Sequence, residues 1–289
     1  MIYNALSIPQ IKNYIGERKL IVSLSGGKDS TAMALWLKEM NFDFDCVFIN
    51  TGWEHQSTID YIHDYLPAHI GEVTTLFSGG MEDLVMNKGY FPSPKIRFCT
   101  GALKIEPMRR HLNSLSVDIV NAIGIRAQES AKRANDPEWE ENPSLHVEVW
   151  RPIIHWTVED VIAIHKRHNV LPNPLYLKGA ERVGCWPCIF AQKREIRMLA
   201  RLSPERIDTI REMEREVNIR RQQKNPNAKP VTWFHRSGLP MPIDAVVEWA
   251  HKSKDDSPEL FEAKDHHTGC MRWGLCDVSH PQMPQNPET

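Results

Sequence analysis

Ser25-Gly26-Gly27-Lys28-Asp29-Ser30 is the stretch whose reading decides the fold. Leu20-Ile21-Val22-Ser23-Leu24 precedes it, apolar and β-branched in the manner of a buried strand. Thr31-Ala32-Met33-Ala34-Leu35-Trp36-Leu37-Lys38 follows, rich in helix formers with apolar residues at helical spacing. The hexapeptide therefore reads as a tight turn between a strand and the start of a helix. Its two glycines let the backbone approach a bound group closely. The free N–H groups of a helix's first turn, aided by the helix dipole, then make a seat for phosphate. Lys28 adds a full positive charge, and Ser25 and Ser30 add hydroxyls. The plainer alternative is a Gly-Gly turn with Asp29 or Ser30 capping the helix; strand, turn and helix together favour the phosphate seat.

Outward from this turn the chain is ordinary globular material, 289 residues with 41% hydrophobic and 25% charged side chains. Its formal net charge of −2 gives no global attraction to nucleic acid or membrane, so any such surface must be a local patch. No run reaches the roughly 18 apolar residues of a membrane span, and Met1-Ile2-Tyr3-Asn4 lacks the pattern of a signal peptide. Six cysteines in such a chain do not form a secreted disulfide scaffold. A cytoplasmic location is expected, with free thiols available for metal or redox chemistry.

Strands are expected at 19–25, 45–51, 72–77, 117–124 and 147–153, alternating with helices near 31–40, 58–66, 101–113 and 157–168, behind a short leading helix within 1–18. This alternation implies βαβ units, hence an α/β fold with a doubly wound parallel sheet and ligands at the carboxyl ends of its strands. Beyond about residue 190 the pattern becomes helical. Ser203-Pro204 starts one helix, Asn225-Pro226-Asn227 ends it, another spans 242–252, and the last ten residues read as a loose tail. The expected division is a nucleotide-binding domain, 1–190, and a helical C-terminal region, 191–289.

Four further motifs carry chemistry. Asn50-Thr51-Gly52-Trp53-Glu54 closes the second strand, either as a simple turn or as backbone that meets an adenine edge where Gly52 permits close approach. Cys99, in Arg97-Phe98-Cys99-Thr100, precedes a helix bearing Lys104; a thiolate so placed is stabilised and suits ligation or nucleophilic work, whereas Cys46 reads as a buried strand cysteine. Gly124-Ile125-Arg126, with Arg133 beyond it, follows the fourth strand, where guanidinium groups can grip phosphate. Cys185-Trp186-Pro187-Cys188 lets two thiolates reach one metal or form a redox pair, with Cys270 and Cys276 as further ligands. Spacing leaves structural zinc, a four-cysteine iron–sulfur cluster and a bare dithiol open.

The strand-S-G-G-K-D-S-helix unit resembles the PP-loop of the N-type ATP pyrophosphatases, and lacks the G-x-x-x-x-G-K-[ST] pattern of common NTPases. With R-x-C-T-x-x-L-K-x-x-P, G-I-R-x-x-E-S-x-x-R, N-P-L-Y and G-C-x-x-C following in order, residues 19–195 resemble the PAPS/APS reductase-like branch of the adenine nucleotide alpha-hydrolases. Relative to the assimilatory reductases, Thr100 stands where a second paired cysteine would be, and the end of the chain lacks a clean E-C-G-x-H. The intact loop is closer in character to members that cleave ATP, among them the DndC/SspD-type proteins of DNA phosphorothioation. The resemblance implies an enzyme that splits ATP into AMP and pyrophosphate, with Mg²⁺, and adenylates an acceptor for sulfur insertion. Its phosphates would lie on Ser25, Gly26, Gly27, Lys28, Asp29 and Ser30, and its nucleoside near Asn50, Thr51, Gly52 and Gly124. Lys28, Asp29, Lys104, Arg126 and Arg133 would act on the phosphates, Asp29 either placing magnesium or capping the helix. A [4Fe–4S] cluster, or zinc, would sit on Cys99, Cys185, Cys188 and Cys276, with Cys270 as the other source of a fourth ligand. The implied partners are a nucleic-acid acceptor (DNA or tRNA) and a cysteine desulfurase or other sulfur-donor protein, with no membrane. A basic helix with Arg211, Arg215, Arg220, Arg221 and Lys224 adds modest support for nucleic acid and reads equally as a solvated face. A sulfonucleotide reductase and a non-catalytic nucleotide-binding subunit are the alternatives.

Overall fold

The computed structural model describes residues 6–236, 238–252 and 273. In chain order the elements are α1 (Ile8–Ile15), β1 (Lys19–Leu24), α2 (Lys28–Glu39), β2 (Asp45–Asn50) and α3 (Gln56–Asp60), which continues through a π turn, Tyr61–Tyr65, into α4 (Pro67–Ile70). Then come β3 (Val73–Phe77), α5 (Met81–Lys88) and α6 (Phe98–Thr100), joined by a π turn, Gly101–Ile105, to α7 (Glu106–Ser114). Next are β4 (Ile119–Ile123), β5 (Trp139–Asn142), β6 (Val147–Trp150), α8 (Val158–Arg167) and α9 (Pro174–Leu177). The last are α10 (Lys193–Leu202), α11 (Pro204–Lys224), a hairpin of β7 (Phe234–Arg236) and β8 (Leu239–Met241), and α12 (Ile243–His251).

Six strands form one sheet in the order β3-β2-β1-β4-β6-β5, all parallel except β5, which runs antiparallel to β6. The expected α/β doubly wound sheet is present. Alternation at period two divides it into two faces. Leu20, Val22 and Leu24 of β1, with Cys46, Phe48, Val120 and Ala122, pack into one cluster with α1, α2 and α8. Ile21, Val47 and Ile119 point the other way, onto Met108 and Leu112 of α7. The order reverses beside β1, whose neighbours are β2 and β4, so a crevice opens at the carboxyl ends of β1 and β4.

A second apolar cluster lies over those carboxyl ends. Ile196, Ile210, Met213, Val217 and Val246 of the C-terminal helices share it with Trp53, Met81, Val85, Leu103 and Trp186. Apolar packing therefore runs across the 190/191 boundary. Its buried Glu214 accepts hydrogen bonds from the amides of Trp233 (2.9 Å) and Ile243 (3.0 Å), joining α11 to the hairpin and to α12. Among the described residues no helix is long and apolar enough to cross a membrane.

Several elements differ from expectation. Helix α2 begins at Lys28, so the second half of the hexapeptide is already helical. The helices expected at 58–66 and 101–113 are longer and each contains a π turn. Strand β5 and helices α5 and α10 were not expected. Trp139-Glu140-Glu141-Asn142 alternates weakly because it is a half-solvated edge strand. Cys270 and Cys276 lie outside the described residues.

Candidate functional site

The strand-turn-helix unit is built around two close approaches. Gly26 has φ +68°, and a Cβ there would stand 2.9 Å from Ile62 Cδ1 and 3.0 Å from Thr58 Cγ2. A Cβ on Gly124, at the end of β4, would stand 2.6 Å from Ser30 Cα. Both glycines are thus needed so that the first turn of α2 can nest against its neighbours. Gly27 occupies the helix N-cap and offers no side-chain cap. Ser30 stabilises the turn instead: its hydroxyl donates to the Gly27 carbonyl (3.2 Å) and accepts from the Ser25 amide (3.1 Å). Asn173, fully buried just before α9, donates to the Gly26 carbonyl and to Thr58 Oγ1, both at 3.2 Å.

Asp29 neither caps the helix nor stands free for a metal. Its Oδ1 accepts from Arg126 Nε at 2.5 Å and its Oδ2 lies 3.3 Å from Lys28 Nζ, with Asp29 and Arg126 both buried. This pair ties the start of α2 to the loop after β4 and fixes the guanidinium at the mouth of the crevice. Glu129 in turn accepts from the Arg126 amide (2.8 Å) and pairs with Arg133.

The N-T-G-W-E segment forms a self-closed turn at the end of β2. Buried Glu54 accepts from the amide and hydroxyl of Thr51 (3.0 and 2.7 Å), closing the turn on itself. The outer edge of that turn receives the C-x-x-C loop. Glu54 and Cys185 form an antiparallel bridge, the Trp186 amide donates to the Trp53 carbonyl (2.7 Å), and Trp53 Nε1 donates to the Pro187 carbonyl (3.0 Å). Gly52 has φ +66° and its Cα faces Gly80, where a Cβ would meet Gly80 Cα at 3.1 Å.

These parts enclose one cavity of about 1070 Å³, lined by Ser25, Gly27, Lys28, Asp29, Ser30, Thr51, Lys104, Gly124, Arg126 and Arg133, and equally by Cys99, Cys185 and Cys188. The sequence-derived nucleotide residues and three of the sequence-derived thiols therefore face a common space. Gly26, Asn50 and Gly52 lie off its wall: Gly26 packs on the helix behind it, and Asn50 Oδ1 accepts from the Gly52 amide (2.8 Å). Arg97, Arg182, Glu181, Tyr176 and Trp273 also line the cavity, and the sequence reading did not select them. Tyr176 had a signal in the N-P-L-Y motif. Arg97 had one in the R-x-C-T motif, and Arg182 had none, since surface arginines are common.

Six cations against three carboxylates make the lining electropositive, and all three carboxylates are already paired, Asp29 with Arg126, Glu129 with Arg133 and Glu181 with Arg194. Such a lining concentrates a polyanion. Lys104 reaches into the cavity from the π turn, and Cys185, then Glu54 and the other two thiols, push its pKa up against the opposing effect of burial. Burial pushes the Cys185 thiol up while Lys104 pulls it down. Cys99 differs from expectation: although it sits in a helical first turn, burial first and then Cys188 raise its pKa. Cys46 is buried inside β2 as expected, its thiol pushed up to about 12. All four are free thiols. Among the described residues no group of three His, Cys, Asp or Glu side chains is arranged to hold a single metal ion. The three thiols thus do not form a ready zinc site, whereas the thiolates around an iron–sulfur cube stand wider apart than the ligands of one ion.

Residues 19–191 match the family described as "Phosphoadenosine phosphosulfate reductase domain". The chain is 36% identical to an uncharacterized 37.8 kDa protein of Escherichia phage 186, across 89% of this chain and 96% of that protein. It is 28% identical to an adenosine 5'-phosphosulfate reductase of Deinococcus radiodurans, across 52% of this chain and 58% of that enzyme. It spans less than half the length (43% and 46%) of two archaeal relatives from Methanocaldococcus jannaschii. The fold is similar to that of a phosphoadenylyl-sulfate reductase from Candida auris, solved as a phosphate complex, with a TM-score of 0.50 at 18% identity over 63% of this chain and 89% of that one.

Asp29→Asn would leave the Arg126 guanidinium buried without its counter-charge, a loss that costs about 3–5 kcal/mol. Chemical denaturation is expected to show a drop of that size. A change below about 0.5 kcal/mol, the usual range of surface substitutions, would mean that the pair does not organise the site.

Proposed function

Because this chain belongs to the phosphoadenosine phosphosulfate reductase domain family, we propose that it is a nucleotide-using enzyme of sulfur chemistry, and that its nucleotide is ATP, split into AMP and pyrophosphate. One observation carries the reading: the start of α2, whose N-cap Gly27 offers no side-chain cap, and its intact Ser25–Ser30 loop line the same cationic cavity as Cys99, Cys185 and Cys188. The phosphates would lie on the amides of the first turn, with Lys28, Lys104 and Arg126 neutralising charge as pyrophosphate departs. Catalysis is then positioning and preformed electrostatics. An acceptor oxygen attacks the α-phosphorus, the bond to the β-phosphate oxygen breaks, and the adenylated acceptor is open to a sulfur nucleophile that displaces AMP. Magnesium would arrive on the phosphates with its waters, because Asp29 is committed to Arg126 and Lys28.

Cys99, Cys185 and Cys188 would hold an iron–sulfur group, with the fourth thiol supplied by Cys276 or Cys270, which stand three residues on either side of Trp273 in the sequence. Such a group supplies sulfur or electrons when bound. The acceptor in this reading is nucleic acid, as in DndC/SspD-type phosphorothioation, and the sulfur comes from a cysteine desulfurase or a similar donor. The second reading is a sulfonucleotide reductase. It is favoured by the adenosine 5'-phosphosulfate reductases among the relatives, and opposed by the lack of a clean E-C-G-x-H near the end of the chain.

Product analysis separates the readings. Wild-type protein with Mg-ATP is expected to yield AMP and pyrophosphate, and Lys28→Ala to lose at least 100-fold in rate, on the order of the loss when one transition-state charge contact is removed. Sulfite from adenosine 5'-phosphosulfate, with ATP untouched, would establish the reductase instead. Anaerobically purified protein is expected to contain iron and acid-labile sulfide, and Cys185→Ser to lose both. Protein with neither, or with stoichiometric zinc, would refute the cluster.

A further inference from the structure

The N–H of Lys28, in the first turn of α2, is not open to the cavity: it donates to the Tyr176 hydroxyl at 3.1 Å. Tyr176 is 4% exposed, and burial holds its pKa well above the ordinary phenol range despite the Lys28 and Val183 amides that pull it down. A neutral oxygen therefore sits on one of the donors the phosphate reading requires. The same segment also engages the lysine side chain. Lys28 Nζ lies 5.1 Å above the Tyr176 ring and donates to the Glu181 carbonyl at 3.4 Å. Tyr176 is held in place from behind: the hydroxyls of Tyr61 and Tyr65 bond the carbonyl and amide of Leu171 (2.7 and 2.8 Å), and Asn173 Oδ1 takes the Leu175 amide (3.0 Å).

We propose that the Tyr176 hydroxyl is an internal competitor for the phosphate at the Lys28 amide, so that Tyr176 sets how tightly the loop holds a phosphate group. A single N–H makes one good bond at a time, so a phosphate oxygen reaches it only by displacing the hydroxyl. An ionised oxygen is the stronger acceptor and wins that exchange, since charge-assisted hydrogen bonds are about twice as strong as neutral ones. A weakly charged or neutral group does not win it. Tyr176 thereby lowers the affinity of every phosphate ligand of the loop by a common factor. This inference rests on the nucleotide reading of the loop, and goes beyond it in naming what the phosphate must displace.

The test is calorimetric titration with inorganic pyrophosphate and, separately, inorganic phosphate, on the full chain and on Tyr176→Phe. The phenyl ring keeps the packing and the contact with Lys28 and removes only the hydroxyl. Wild-type protein is expected to bind pyrophosphate, and Y176F to bind both ions about five-fold more tightly, the worth of one neutral hydrogen bond no longer in competition. A hydroxyl that merely braced the loop would make binding weaker on removal, so the sign of the change decides. If thermal melting shows that Y176F does not fold, amide NMR of wild-type protein carries the test: pyrophosphate is expected to shift the Lys28 N–H resonance as it displaces the hydroxyl, and a Lys28 N–H unmoved by bound pyrophosphate would overturn the role of Tyr176. Unchanged or weaker binding by the variant, with wild-type protein binding normally, would overturn the role of Tyr176 and leave the loop reading intact. Failure of wild-type protein to bind pyrophosphate would overturn both.

Discussion

A buried ion pair between Asp29 and Arg126 holds the site together. It links the first turn of the first crossover helix to the loop after β4, across the point where the strand order reverses. Burying two charges gains little stability by itself, because the lost hydration roughly offsets the attraction. What the pair provides is position. With Gly124 allowing Ser30 to nest beneath it, the guanidinium can stand only at the lip of the crevice, beside the amides of α2. An anion entering there meets donors whose orientation was settled on folding, with the Tyr176 hydroxyl on the Lys28 amide the group in its way.

The second constraint acts from above. Trp53 and Trp186 join the turn after β2 to the C-x-x-C loop by two short hydrogen bonds and share one apolar cluster with α10, α11 and α12. The C-terminal helices thus serve as a buttress that holds Cys185 and Cys188 over the sheet. Lys104 lines the same cavity as the thiols and the Ser25–Ser30 loop, its charge favoured by Cys185 and Glu54. The electrostatics that suit a departing polyphosphate therefore also bear on the sulfur atoms.

Much of the fold was legible because parallel strands buried on both faces leave near-continuous apolar runs, as at Leu20–Leu24 and Cys46–Ile49. The edge strand Trp139–Asn142 carried no such run, since one of its sides has no neighbour to demand apolar residues. Helix α5 was hidden by its shortness between Gly80 and Gly89. In the site, the residues whose chemistry is unusual for their context could be read directly: the loop, the paired cysteines, Lys104 and Arg126. Those whose role depends on what they touch could not. Asp29 became a partner of Arg126 only once the loop after β4 was placed. Glu54 became the clasp of a turn, and Tyr176, 148 residues from Lys28, a neighbour of its amide. Gly26 and Gly52 were read as permitting a close approach of the backbone to a ligand; the approaches the fold itself makes there are to Ile62 and to Gly80. Glycine in a sequence announces a close approach and does not say of what.

In the proposed reading one cavity holds a polyphosphate on the start of α2 and presents it to three thiols. A crystal structure of the full chain with a non-hydrolysable ATP analogue tests it most directly. β- and γ-phosphate density is expected on the Ser25–Ser30 backbone, within hydrogen-bonding distance of Lys28 and on the side of the cavity that faces Lys104. Density for the triphosphate elsewhere, with the Ser25–Ser30 amides facing only protein, would contradict it.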